Sequence, residues 1–136
     1  MNLPEQIQRE LDGVVAEYVA SLRLRIVEAD ADGVVVRMPV TPAIVHGGGV
    51  VCGQALMAAA DTAMVCAMSA SLGGFRPMTT VQLQTSFLRP VPGDATEVRI
   101  EARVLRKGKN LSFGEVRIET PDGKLAAHAT TTYALL

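Results

Sequence analysis

From Val50 to Met68 the chain reads "VVCGQALMAAADTAMVCAM". Nearly every residue is apolar or small, and one carboxylate, Asp61, stands near the middle. As a helix the run makes about five turns. It would be apolar almost all round, so it must be buried on most sides. The length would also suit a membrane span, which needs about 20 residues. A mid-bilayer Asp costs roughly 2.5–3.5 kcal/mol, however, and the rest of the chain alternates polar and apolar residues as a soluble sheet does. The run is therefore read as a core helix, with no membrane role. Its carboxylate then needs either buried partners or a chemical task.

The flanking segments say what could bury such a helix. Pro4 to Ala20 carries Ile7, Leu11, Val14, Val15, Tyr18 and Val19 at helical spacing, which predicts one amphipathic helix. "LRLRIVEA" and "VVVRMPV" read as two strands around the turn "DADG". "TPAIVHGGG" is a loop. Beyond the apolar run, Gly73 and Gly74 offer a C-cap and Pro77 a stop. Four strand-like segments follow. The first places Val81, Leu83, Thr85 and Phe87 on one face. The second alternates Val98, Ile100, Ala102 and Val104 against charged residues. "NLSFGEVRIET" and "KLAAHATTTYAL" complete the set, and the turn-rich connectors predict an antiparallel meander. The expected architecture is α+β, one domain over residues 1–136: a curved antiparallel sheet wrapped around a long central helix. One sheet cannot cover that helix fully, so a second copy is expected to finish the burial.

Composition narrows the partners. The formal net charge is -1, and there is no Trp. No basic field or stacking platform invites nucleic acid. "MNLPEQIQRELDG" has no basic-then-apolar leader. Cys52 and Cys66, if on one helix, lie roughly 21 Å apart, too far for a disulfide. A reducing cytoplasm is the expected location. No Cys/His cluster suggests a metal.

At "HGGGVVCGQALMAAAD", followed by "TTVQLQTSFLRPVPGD", the chain resembles the hotdog-fold acyl-CoA thioesterases of the 4-hydroxybenzoyl-CoA and phenylacetate-degradation type. That family carries Asn-x-x-Gly-x-x-His-Gly-Gly before a helical acid. In an ungapped register Asp61 takes the acid position. Cys52 falls on the His nine residues earlier, Gly53 and Gln54 on the two glycines, Gly49 on the earlier Gly and His46 on the Asn. Three motif positions are thus substituted. The alternative register through His46–Gly48 would need six extra residues before the acid. Thr80 falls where a Ser or Thr often faces the acid.

The resemblance implies hydrolysis of an acyl-CoA thioester to free acid and CoA, with coenzyme A as part of the substrate and no separate cofactor. It implies a homodimer or, as a dimer of dimers, a homotetramer, with the site at the subunit interface. A carboxylate withdrawn from water is a stronger base than one in bulk solvent, so Asp61 would act as general base or nucleophile. Gly53, at the helix start, would offer its N–H to the oxyanion; Gln54 would add a donor, and His46 and Thr80 would position water or carboxylate. Arg89, Arg106, Lys107 and Lys109 are candidates for the CoA phosphates. Cys52 is read as a packing residue, Met57, Met64 and Met68 as core, and His128 as a strand residue with a local partner. Two alternatives stay open. A hotdog 3-hydroxyacyl thioester hydratase or dehydratase would use His46 with Asp61, although the prolines of that pattern are missing. A non-catalytic acyl-CoA-binding hotdog protein would follow from the three substitutions.

Overall fold

A computed structural model describes residues 1–136. Helix α1 spans Leu3–Val14 and opens with a capping box, in which the Asn2 side chain accepts from the Glu5 N–H and the Glu5 carboxylate returns to the Asn2 N–H. It does not run to Ala20 as the periodicity predicts. Val15 and Ala16 are extended, and a separate turn of helix, α2, covers Glu17–Ala20. The break follows Gly13 and adjacent valines, a poor stretch for helix. It lets Val15 and Val19 both fold onto the core.

The strands are β1 (Arg25–Asp30), β2 (Gly33–Pro39), β3 (Met78–Phe87), β4 (Glu97–Lys107), β5 (Leu111–Glu119) and β6 (Leu125–Leu135), with α3 (Gly53–Leu72) between β2 and β3. They form one antiparallel sheet in the order β1-β2-β4-β5-β6-β3. The expected four-strand meander holds only for β4, β5 and β6; β3 lies beyond β6 at the far edge. The reason is the connector after β3. At nine residues, Leu88 to Thr96, it is too long for a tight hairpin. It crosses under the start of α3, where Val51 N–H donates to Val91 O and Gly93 N–H to Gly49 O, both at 2.9 Å.

The sheet wraps α3, which is about 30 Å long and ends at Gly73 in the left-handed conformation. Ala55, Ala59, Ala60, Ala63 and Ala67 on α3 are fully buried, and their small side chains let the strands approach closely. The facing layer includes Val36, Met38, Val98, Ile100, Val116 and Ile118. Met64 and Met68 are core, as expected, while Met57 is half-buried. His128 has its local partner, Glu115, at 3.2 Å on the outer face. Although α3 is long and apolar enough to span a membrane, it is the core helix here, its most apolar window being 67% buried.

The two sheet edges differ. At β1, Gln8 of α1 stands in for a neighbouring strand. Its Nε2 donates to Leu24 O at 3.1 Å, and its Oε1 accepts from Ile26 N–H at 2.8 Å. The pairing slips at Val27, which further blunts this edge. Nothing comparable covers β3.

Cys66 is buried in the core, and desolvation, with the carboxylates of Glu10 and Asp12 nearby, pushes its thiol up to about 12. An unfolded thiol ionises near about 8.5. Because the folded value is the higher one, this contribution to stability is complete below about pH 8.5 and is lost as pH rises toward 12. Melting curves from pH 8 to 11 should therefore show a progressive loss, up to about 1.4 kcal/mol per pH unit from this thiol. Cys66→Ala should flatten the slope; an unchanged slope would show that Cys66 ionises in the native state.

Candidate active site

Asp61 lies in the middle of α3, on a half-buried stripe with Met57 and Val65 rather than on the alanine faces. Two hydroxyls hold its carboxylate. Thr80 Oγ1 donates to Asp61 Oδ1 at 2.8 Å. Tyr133 Oη donates to the same Oδ1 and lies 2.7 Å from the Asp61 carbonyl oxygen. Burial pushes the Tyr133 phenol far up, and the neighbouring Asp61 charge adds to this, so it stays a donor. Oδ1 is thus occupied, and Oδ2 is left to accept a proton.

A bulge in β3 aims Thr80. Strict alternation would put Val81 inward with Leu83, Thr85 and Phe87, and Thr80 outward. The register slips between Thr80 and Gln82, so Thr80 pairs with Tyr133 while Leu83 pairs with Thr131. Thr80 joins the inner face, and Val81 is left 58% exposed. Tyr133 was not anticipated from the sequence. Its signal was there: it is the one large, polar-tipped side chain on an inner face that also carries Ala127, Ala129, Thr131 and Leu135.

The other end of the site is the start of α3. The Cys52 side chain makes no cap bond, so the first N–H groups, those of Gly53 and Gln54 included, remain free to receive an anion. A groove of about 260 Å³ opens there, lined by Gly53, Leu56, Phe87, Leu88 and Arg89 among others. A side chain at Gly53 would press on the Phe87 ring at 3.2 Å. Gln54 is exposed. His46 is exposed too, in the turn leading into α3, and its Nδ1 accepts from Gly48 N–H at 2.8 Å. The glycine run serves this turn: Gly49 has φ +82°, and a Cβ on Gly48 would meet the His46 ring.

Within one chain, then, Asp61 meets Thr80, and Gly53 shares a groove with Arg89. The remaining basic candidates do not join them. A second bulge, at Leu105, turns Lys107 inward, opposite Ser112. Its ammonium donates to Ser71 O at 3.0 Å, at the far end of α3. There it complements the carbonyl end of the helix dipole. Arg106 and Lys109 belong to the same end, well over 20 Å from Gly53 along a helix of this length.

A helical acid pinned from the sheet, with a glycine amide at the same helix's start, matches a known pattern. The sequence profile of the thioesterase superfamily matches residues 44–127. The chain belongs to that superfamily. A relative from Saccharolobus solfataricus, named provisionally as an esterase, is 30% identical over 117 residues, spanning 85% of this chain and 80% of its own. Among solved structures, a conserved protein of Pseudomonas aeruginosa is 32% identical with a TM-score of 0.81, covering 92% of this chain and 98% of its own. The PaaI protein of the E. coli phenylacetic acid degradation operon shares the fold at 20% identity and a TM-score of 0.83, covering 99% and 96%. This thioesterase-superfamily chain therefore has the hotdog fold, and its activity is of the thioester-hydrolase kind.

Proposed function

We propose that the protein hydrolyses an acyl-CoA thioester, as a homodimer or a dimer of dimers whose sites lie between subunits. The observation that carries this reading is the fixed Asp61 carboxylate, with Oδ1 saturated by Thr80 and Tyr133 and Oδ2 unused. Asp61 Oδ2 takes a proton from water as the water oxygen attacks the thioester carbon. The carbonyl oxygen becomes an oxyanion against the Gly53 N–H, with the Gln54 N–H beside it. The C–S bond then breaks, and the leaving thiolate of CoA takes the proton. Direct attack by Asp61, through an anhydride that water later cleaves, uses the same groups.

Gly53 and Asp61 lie eight residues apart on one helix, about 12 Å along its axis. A single carbonyl must sit about 3 Å from its donor and about as close to its base. One chain therefore cannot supply both groups to one thioester, but a second copy lying antiparallel can. The open edge of β3 suits that copy. Val81, Phe87 and Leu88 there are 58%, 50% and 55% exposed, and a two-fold axis lets such an edge pair with itself. Two free cysteines accord with a reducing cytoplasm. His46 fits a positioning role at the loop more readily than the hydratase reading, since one ring nitrogen is held by its own turn.

The test is thiol release from a panel of aromatic and aliphatic CoA thioesters. Turnover of at least one supports the proposal. No turnover of any, with hydration of an enoyl-CoA instead, would transfer the site to the hydratase reading.

A further inference from the structure

We infer that the cleft between α1 and β1 is a second ligand site, which takes an organic phosphate of about nucleotide size. It stands apart from the thioester site. β1 and β3 are the opposite edges of the sheet, about 24 Å apart along it at five strand spacings of about 4.8 Å. The cleft has a volume of about 680 Å³ and is lined by residues of both α1 and β1. That volume lies within the range of small-ligand pockets.

Two cations line it, Arg9 from α1 and Arg25 from β1, and both are exposed to solvent. The other polar side chains of the cleft have partners within the chain. Asn2 and Glu5 bond each other in the capping box. Gln8 donates to Leu24 O and to Asp12 Oδ1, and accepts from Ile26 N–H. Both acids, Glu5 and Asp12, are thus held by neutral amides rather than by the arginines. The two guanidiniums make no hydrogen bond or ion pair within the chain. The strand register adds an independent sign. Arg25 lies directly opposite Arg37, and Arg37 directly opposite Arg99, so three arginines stand in a row across β1, β2 and β4. Like charges so placed repel. Glu97 answers Arg37 at 3.7 Å, and Glu101 and Glu119 answer Arg99 at 3.3 and 3.6 Å. Arg25, at the end of the row, has no acid. A phosphate dianion supplies the charge that the row lacks, and its oxygens match two guanidinium forks. Met1, Pro4 and Val27 give the cleft an apolar wall for the organic body of the ligand.

The experiment is calorimetric titration at low salt with adenosine 5′-monophosphate and with inorganic phosphate. The wild type should bind the nucleotide more tightly than phosphate, because only the nucleotide reaches the apolar wall. Arg25→Gln and Arg9→Gln should each weaken the nucleotide about tenfold or more, the worth of one charged hydrogen bond. Both side chains are exposed, so neither change threatens the fold. Arg76→Gln, at an exposed arginine of the loop before β3, and Arg89→Gln, in the thioester groove, should leave this binding near that of the wild type. No binding of the nucleotide, or equal binding of inorganic phosphate, overturns the inference. So does a loss in Arg89→Gln with none in Arg25→Gln, which would put the nucleotide at the thioester groove. None of these outcomes depends on thioester turnover, so the inference and the proposed function fail separately.

Discussion

Asp61→Asn should lower kcat on a CoA thioester by about 10³-fold while leaving the melting temperature near that of the wild type. Loss of a positioned general base typically removes 10²- to 10⁴-fold of rate, hence the magnitude of about 10³. The fold should survive because of how the carboxylate is held. Both hydroxyls, from Thr80 and Tyr133, donate to Oδ1, which an Asn amide oxygen can replace. What Asn cannot do is accept a proton at the other position. A structural acid predicts a different outcome, with stability falling by about 1–3 kcal/mol as a buried group loses its partners. Kinetics and melting of one purified variant separate the two. An inactive Asn variant that is also clearly destabilised would count against catalysis by Asp61.

Gly114→Val should destabilise the protein by about 3 kcal/mol, a drop in Tm of roughly 10 °C. Gly114 is buried on the inner face of β5. A Cβ there would lie 2.4 Å from the Met64 thioether and 2.8 Å from the Arg103 carbonyl. Met64 could shift, but the backbone of a central strand cannot. Met64 is also the next residue but two after Asp61 on α3. Forcing the helix outward here would loosen the contact of Asp61 with Thr80 and Tyr133, so residual activity should fall with the stability. Thermal melting and thiol release on the same sample test both parts. A variant that melts like the wild type would mean that the core around Met64 can yield.

Much of this architecture is legible in local patterns. The run from Gly53 to Leu72 is apolar almost all round, and such a helix must be buried on most sides, as a surrounding sheet does. The alternation of Val98, Ile100 and Ala102 with Arg99, Glu101 and Arg103 puts one face of β4 inward without any tertiary knowledge. Asp61 stands out because it is the one charge in its run. The helix between Pro4 and Ala20 was readable in position but not in continuity, because helical spacing persists across the extended pair Val15 and Ala16.

What the chain alone determined is which segments are periodic, which faces are apolar, and that one carboxylate sits in the core helix. Tertiary structure decided which of these meet. Tyr133 is 72 residues from Asp61 and reaches it only because β6 crosses the middle of α3. Thr80 faces the acid only because β3 bulges against β6, a feature of two strands together. Four basic residues look alike in sequence, yet Arg89 lies by the helix start while Lys107 closes the helix end. Periodicity and polarity are local, fixed by dihedral repeat and transfer from water. Strand order, bulges and helix ends are set by the packing of the whole domain, where contacts between distant residues outweigh any local preference.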